Sequence, residues 1–147
     1  MTMGVWTEVW PVAADEACLW LVSGGDAWRP KGPVTATSQP RADVRSELAA
    51  RLNVSADALD QIMPSLASTG SRSEEQGLVV TYVAMLDPDG PVRDRWPNAQ
   101  PVSTDSPAVL IDALRYLRDR GDMELDRDGI ERPVVLDETW RRHLSAL

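Results

Sequence analysis

The sequence predicts an α/β fold in which a mixed β-sheet is covered by helices on both sides. Three observations predict it. Leu78 to Leu86 (LVVTYVAML) is a long, β-branched, nearly uncharged run of the kind buried in the centre of a sheet. Two further stretches carry apolar residues at helical spacing: Val44, Leu48 and Leu52 in one, Leu110, Ala113, Leu114 and Leu117 in the other. Strand-like segments precede both, so the order is strands, helix, strands, helix.

Taken along the chain, Val5 to Val12 (VWTEVWPV) has β-branched and aromatic residues at strand-like spacing, with Pro11 pointing to an edge or a bulge. Asp15-Glu16 reads as a turn. Ala17 to Val22 is a buried strand closed by Ser23-Gly24-Gly25-Asp26, which is a turn and not a phosphate loop because no Lys-Ser/Thr follows. A helix opens near Pro40 and stops at Asn53, which can take the left-handed conformation of a helix end. Ser55 caps a second helix that Pro64 terminates. Leu66 to Arg72 reads as an extended arm and Ser73 to Gly77 as a polar connection. After the Leu78–Leu86 strand, Asp87 to Pro91 is a turn and Val92 to Thr104 an irregular loop. Asp105 or Ser106 caps the next helix, with Pro107 in its first turn and Gly121 beyond its end. Asp122 to Arg132 is a charged connection, and a last helix spans Asp137 to Ala146.

Composition narrows the function. The 147 residues suggest a single domain, 1–147, and 43% apolar content suffices for a core. Phe is absent and Trp occurs six times, so indoles supply most of the large aromatic volume. A net charge of −8 and a pI near 4.6 argue against nucleic-acid backbones and anionic membranes as partners. Cys18 is the one cysteine, which excludes an internal disulfide and a Cys-rich metal site; within ACLWLV it is expected in the core. No run approaches the ~18 apolar residues of a membrane span, and no leader-like segment opens the sequence, so a cytoplasmic location is expected.

The stretch Trp28 to Val54 carries a more specific signal. From Gly32 it falls without a gap on the pattern G-x5-E-x7-R-E-U-x-E-E-x-G-U, where U is a bulky aliphatic residue. Gly32 takes the first glycine, Glu47 the Glu of the Arg-Glu pair, and Leu48 and Val54 the aliphatic places. The preceding Trp28-Arg29-Pro30-Lys31-Gly32 resembles a W-x-P-K-G entry. In these features the segment resembles the box of the Nudix family. Five places depart from it: Ser38 for the early Glu, Ser46 for Arg, Ala50 and Arg51 for the paired Glu residues, and Asn53 for the late Gly. The resemblance implies an α/β/α sandwich with a mixed sheet, Mg²⁺-dependent hydrolysis of nucleoside diphosphate derivatives, and often a homodimer.

The departures set the expected chemistry. A box helix with carboxylates one turn apart suits a hard divalent cation. Here Glu47 is followed at i+4 by Arg51, an arrangement that favours a helix ion pair and puts a guanidinium in the metal's space. The expectation is a catalytically degenerate Nudix-like protein without a metal or other cofactor, which binds a nucleotide-like small molecule or a protein partner. Glu47 is the surviving catalytic position, and Trp28, Arg29, Lys31 and Arg51 are the expected ligand-binding residues. The alternative is a hydrolase whose Mg²⁺ site is displaced onto Glu47 with Asp43 or Glu74. A third possibility is an oligomerising domain with Trp6, Trp10 and Trp96 exposed in an interface. His143 reads as a surface residue, and Glu74-Glu75 as a solvated loop.

Overall fold

Parallel pairing of two β-branched runs sets the centre of the sheet. In the computed structural model, which describes residues 4–34, 39–120, 123–125, 131–133 and 136–147, β1 (Gly4–Ala14) is followed by the short β2 (Leu19–Leu21). Helices α1 (Pro40–Leu52) and α2 (Ala56–Ile62) come next, then a hairpin of β3 (Ser65–Glu74) and β4 (Gly77–Leu86). A short helix α3 (Val92–Arg95), strand β5 (Gln100–Pro101) and helix α4 (Ala108–Arg120) follow. A small pair, β6 (Met123–Leu125) and β7 (Glu131–Pro133), precedes helix α5 (Glu138–Ser145). The main sheet has the order β3-β4-β1-β2-β5. β1 and β4 run parallel from Gly4 opposite Gly77 to Ala13 opposite Leu86, and the other pairings are antiparallel.

Strand alternation divides the core into two. Val9, Ala13, Tyr82, Ala84 and Leu86 face α1 and α2, meeting Val44, Leu48, Leu59 and Ile62. Trp10, Val12, Val83 and Met85 face the other way, onto Leu110, Ala113, Leu114 and Leu117 of α4 and Trp140 and Leu144 of α5. Successive strand residues point to opposite faces, so one strand serves both layers. The helix boundaries follow their capping residues. Asn53 has φ 56° and closes α1; Ser55 Oγ accepts the Ala58 N–H at 3.1 Å, and Asp137 accepts that of Trp140 at 2.9 Å. The Pro107 carbonyl accepts the Ile111 N–H and so starts α4. Gly121 lies outside the described residues.

Several expectations are corrected. Residues 66–77 are not an arm and a connection: β3 pairs with β4 across the two-residue turn Glu75-Gln76. Gly77 at its exit has φ +139°, and a Cβ there would lie 2.1 Å from the Gly4 carbonyl oxygen. Pro11 lies inside the sheet, opposite Ala84. Its carbonyl accepts the Val22 N–H at 2.8 Å, and its missing N–H falls opposite Val22, just beyond the end of β2, so little pairing is lost. The 17–22 strand is trimmed to Leu19–Leu21, because Asp15 engages the Ala17 and Cys18 amides. The 92–104 loop contains α3 and β5, and the 122–132 connection contains β6 and β7. Cys18 is half-buried rather than core. Trp10 is buried, not exposed, and its indole N–H has no acceptor among the described residues; Trp6 and Trp96 are half-buried.

Candidate functional site

The α1 helix turns Val44 and Leu48 fully inward, which leaves Glu47 and Arg51 on its flank. One turn separates them, and Arg51 Nε donates to Glu47 Oε1 at 2.9 Å. The Glu47 side chain is 21% exposed and that of Arg51 48%. A guanidinium, and not a second carboxylate, therefore stands one turn from Glu47. Two other arginines fix the helix: Arg45 pairs with Asp60 of α2, and Arg41 donates to the Leu66 carbonyl of β3 at 2.6 Å.

The segment before α1 lies along β1. Val9 and Trp28 exchange both main-chain hydrogen bonds at 2.9 Å, and Val34 N–H donates to the Val5 carbonyl. Trp28 packs half-buried against the α1-facing core, while Lys31 is exposed. Arg29 turns to the α4-facing side and donates to Glu8 Oε2 at 2.8 Å. Glu8 is 1% exposed and is the centre of a network joining three strands and this arm. Arg72 grips both of its oxygens, and Thr81 Oγ1 donates to Oε1 at 2.8 Å. Arg72 also donates to Glu74 and Thr81, so five contacts use its five N–H groups. Burial would push the Glu8 carboxyl up, but the hydrogen bonds from Arg72 and Thr81 and the charges of Arg72 and Arg29 together hold it below its ordinary value. Glu74 belongs to this network through Arg72, Arg29 and Gln76 and is not a solvated loop residue.

A cleft of about 490 Å³ opens at the carboxyl ends of β1 and β4, lined by Asp15, Glu16, Asp87, Pro91 and Asp137 among others. Its carboxylates hold loops together. Asp15 Oδ1 accepts from the Ala17 and Cys18 amides and the Trp20 indole, and Oδ2 from the Val92 amide. Burial opposes ionisation of Asp15, and these four donors overcome it and lower its pKa. Asp87 accepts the Asp89 N–H, and Asp137 caps α5. His143 is part-buried, its Nε2 2.8 Å from the Asp15 carbonyl oxygen, which ties α5 to the end of β1. Burial, then the Asp15 charge, raise the Cys18 thiol, with Arg93 opposing.

The sheet thus separates the residues singled out from the sequence. Glu47 and Arg51 meet on α1, whereas Arg29 and Glu74 meet on the α4-facing side. Sequence reasoning missed Glu8, Arg72 and Asp15. Glu8 had a signal, because strand alternation puts its charge on the same side as Trp6, Trp10 and Val12. Its partner Arg72 had none while 66–72 was not read as a strand. No protein-family model matches the chain, no curated protein matches it in sequence, and no solved structure matches its fold. Among the described residues, no helix is long and apolar enough to cross a membrane.

Proposed function

We propose that the chain is a catalytically degenerate Nudix-fold protein that works by binding a nucleotide-like small molecule or a protein partner. The observation that carries this reading is the Arg51–Glu47 ion pair on the helix that aligns with the Nudix box. Swapping a carboxylate for a guanidinium within ~5 Å of a divalent cation costs several kcal/mol even at an effective dielectric of about 20. A bridging Mg²⁺ therefore does not fit this donor set, and no chemical step is routed through one. Helices on both faces of a mixed sheet, with the box-like helix packed directly on β1, agree with the α/β/α arrangement of that family.

The competing reading moves the metal to Glu47 with Asp43 or Glu74. Glu74 turns to the opposite side of the sheet from α1 and is engaged by Arg72 and Arg29. That leaves Asp43 as the partner for Glu47 under the hydrolase alternative. The deciding experiment is hydrolysis of a panel of nucleoside diphosphate derivatives with Mg²⁺ or Mn²⁺, run beside Glu47→Ala. The binding reading expects no metal-dependent turnover in either protein and a thermal shift with one of the nucleotides or a partner. Turnover that needs both metal and Glu47 overturns it.

A further inference from the structure

We propose that the 28–34 arm is a strap over the open flank of β1, latched by the ion pair of Arg29 with the buried Glu8. β4 pairs with β1 along one side from Gly4 to Ala13, but β2 covers the other side only from Val12 to Ala14. The arm occupies the remaining flank. Its main chain is bonded at the two ends, Trp28 to Val9 and Val34 to Val5. Between them, Pro30 and Pro33 have no N–H to add. The side-chain link from Arg29 to Glu8 supplies what this sparse main-chain pairing lacks.

The two arginines on Glu8 have separate jobs. Arg72 is committed by all five N–H groups to residues of β1, β3 and β4, so it ties strands of the sheet to one another. Arg29 is 44% exposed and comes from the arm. When it lets go, Glu8 still has both arms of Arg72 and the Thr81 hydroxyl. The sheet then survives while the strap is freed. Trp28 rides on the strap, so the latch decides whether it is held against β1 and the core.

Limited trypsin digestion tests this directly, because Lys31–Gly32 lies inside the strap and Arg29–Pro30 resists cleavage on account of its proline. A docked strand cannot enter a protease, so the cutting rate reports the opened population. Loss of a hydrogen bond to a charged group predicts a rise on the order of tenfold in the rate of 1–31 fragment release in Arg29→Ala. The docked state loses that bond relative to the unfolded chain as well, so global stability in urea should fall by the same tenfold factor, about 1.4 kcal/mol, and Arg29→Lys should restore part of the protection. The urea dependence of cutting below the unfolding transition separates the two routes, because strap opening exposes little surface and its rate rises far less steeply than whole-molecule unfolding requires. Two results overturn the proposal: an unchanged cutting rate in Arg29→Ala, or a cutting rate that climbs with urea along the full global slope. No nucleotide takes part, so failure here and failure of the binding reading are told apart.

Discussion

Replacing Glu8 by Gln keeps the shape of the network and removes its charge. The substitution leaves Arg72 and Arg29 facing a neutral amide, whose NH₂ group must replace one of two accepting oxygens: Oε2, which accepts from both arginines, or Oε1, which accepts from Arg72 and Thr81. Removing one partner of a fully buried pair costs about 3–5 kcal/mol. Here Glu8 is 1% exposed but the arginines are 44% and 30% exposed, so water takes back part of their charge. The expected loss is therefore about 2–3 kcal/mol at neutral pH, read as a lower urea midpoint with an unchanged slope. The pH dependence adds a second check. The folded Glu8 carboxyl is below its unfolded value, so its contribution is complete above pH ~4.3 and is lost as pH falls through the folded pKa. The gap between wild type and Glu8→Gln must then shrink on acidification. Asp15 also titrates low, but in both proteins, and cancels from the difference; Glu74 shares Arg72 and Arg29 with Glu8, so both proteins are compared in a Glu74→Gln background. A loss below about 1 kcal/mol at pH 7, or a gap that is as wide in acid as at neutrality, would refute the assignment of Glu8 as the charged centre of the sheet.

Substitutions at two further positions probe the loops and caps. Asp15→Asn can keep the three bonds to one oxygen, but turns an NH₂ group onto the Val92 amide. A loss of about 1.5–3 kcal/mol is expected by urea titration, together with faster alkylation of Cys18, since the Asp15 charge is one of the two causes that raise its thiol. At the α1 terminus, Asn53 sits at φ 56°. There Asn53→Gly should be neutral or slightly stabilising in a thermal melt, and Asn53→Ala should cost about 1 kcal/mol.

The helices were legible because their signals are local. Val44, Leu48 and Leu52 mark one face of α1, and the Asn53 stop needs no tertiary partner to be read. The Arg51–Glu47 pair was legible for the same reason, since four residues along a helix define the contact. β3 was not. Its sequence, SLASTGSRSE, is small and polar with a glycine at the register shift between Ser68 and Gly70. An edge strand of that kind owes its conformation to pairing with β4 and not to its own propensity. Missing β3 also hid the Glu8 network, whose bonds to Arg72 and Thr81 join residues 64 and 73 apart in sequence. Pro11 shows the converse limit: a residue that argues locally for an edge is tolerated inside the sheet because β2 ends beside it.

The three carboxylates best placed for chemistry are each already engaged. Glu8 is gripped by two arginines and a hydroxyl, Asp15 by four N–H donors, and Glu47 by Arg51. Donors that stabilise a carboxylate lower its pKa, and a carboxylate with a lowered pKa is a weaker base. Glu8 and Asp15 are both shifted in that direction. A hydrolytic mechanism through either would have to break the bonds that hold β1 and its loops before it could accept a proton. The balance of charge around the box-like helix points the same way. Where a metal-dependent enzyme concentrates negative charge, this chain pairs Glu47 of α1 and Asp60 of α2 each with an arginine. The guanidinium groups of Arg29 and Arg51, both more than two-fifths exposed, stand on opposite sides of the sheet, and each is held by a carboxylate of the chain itself.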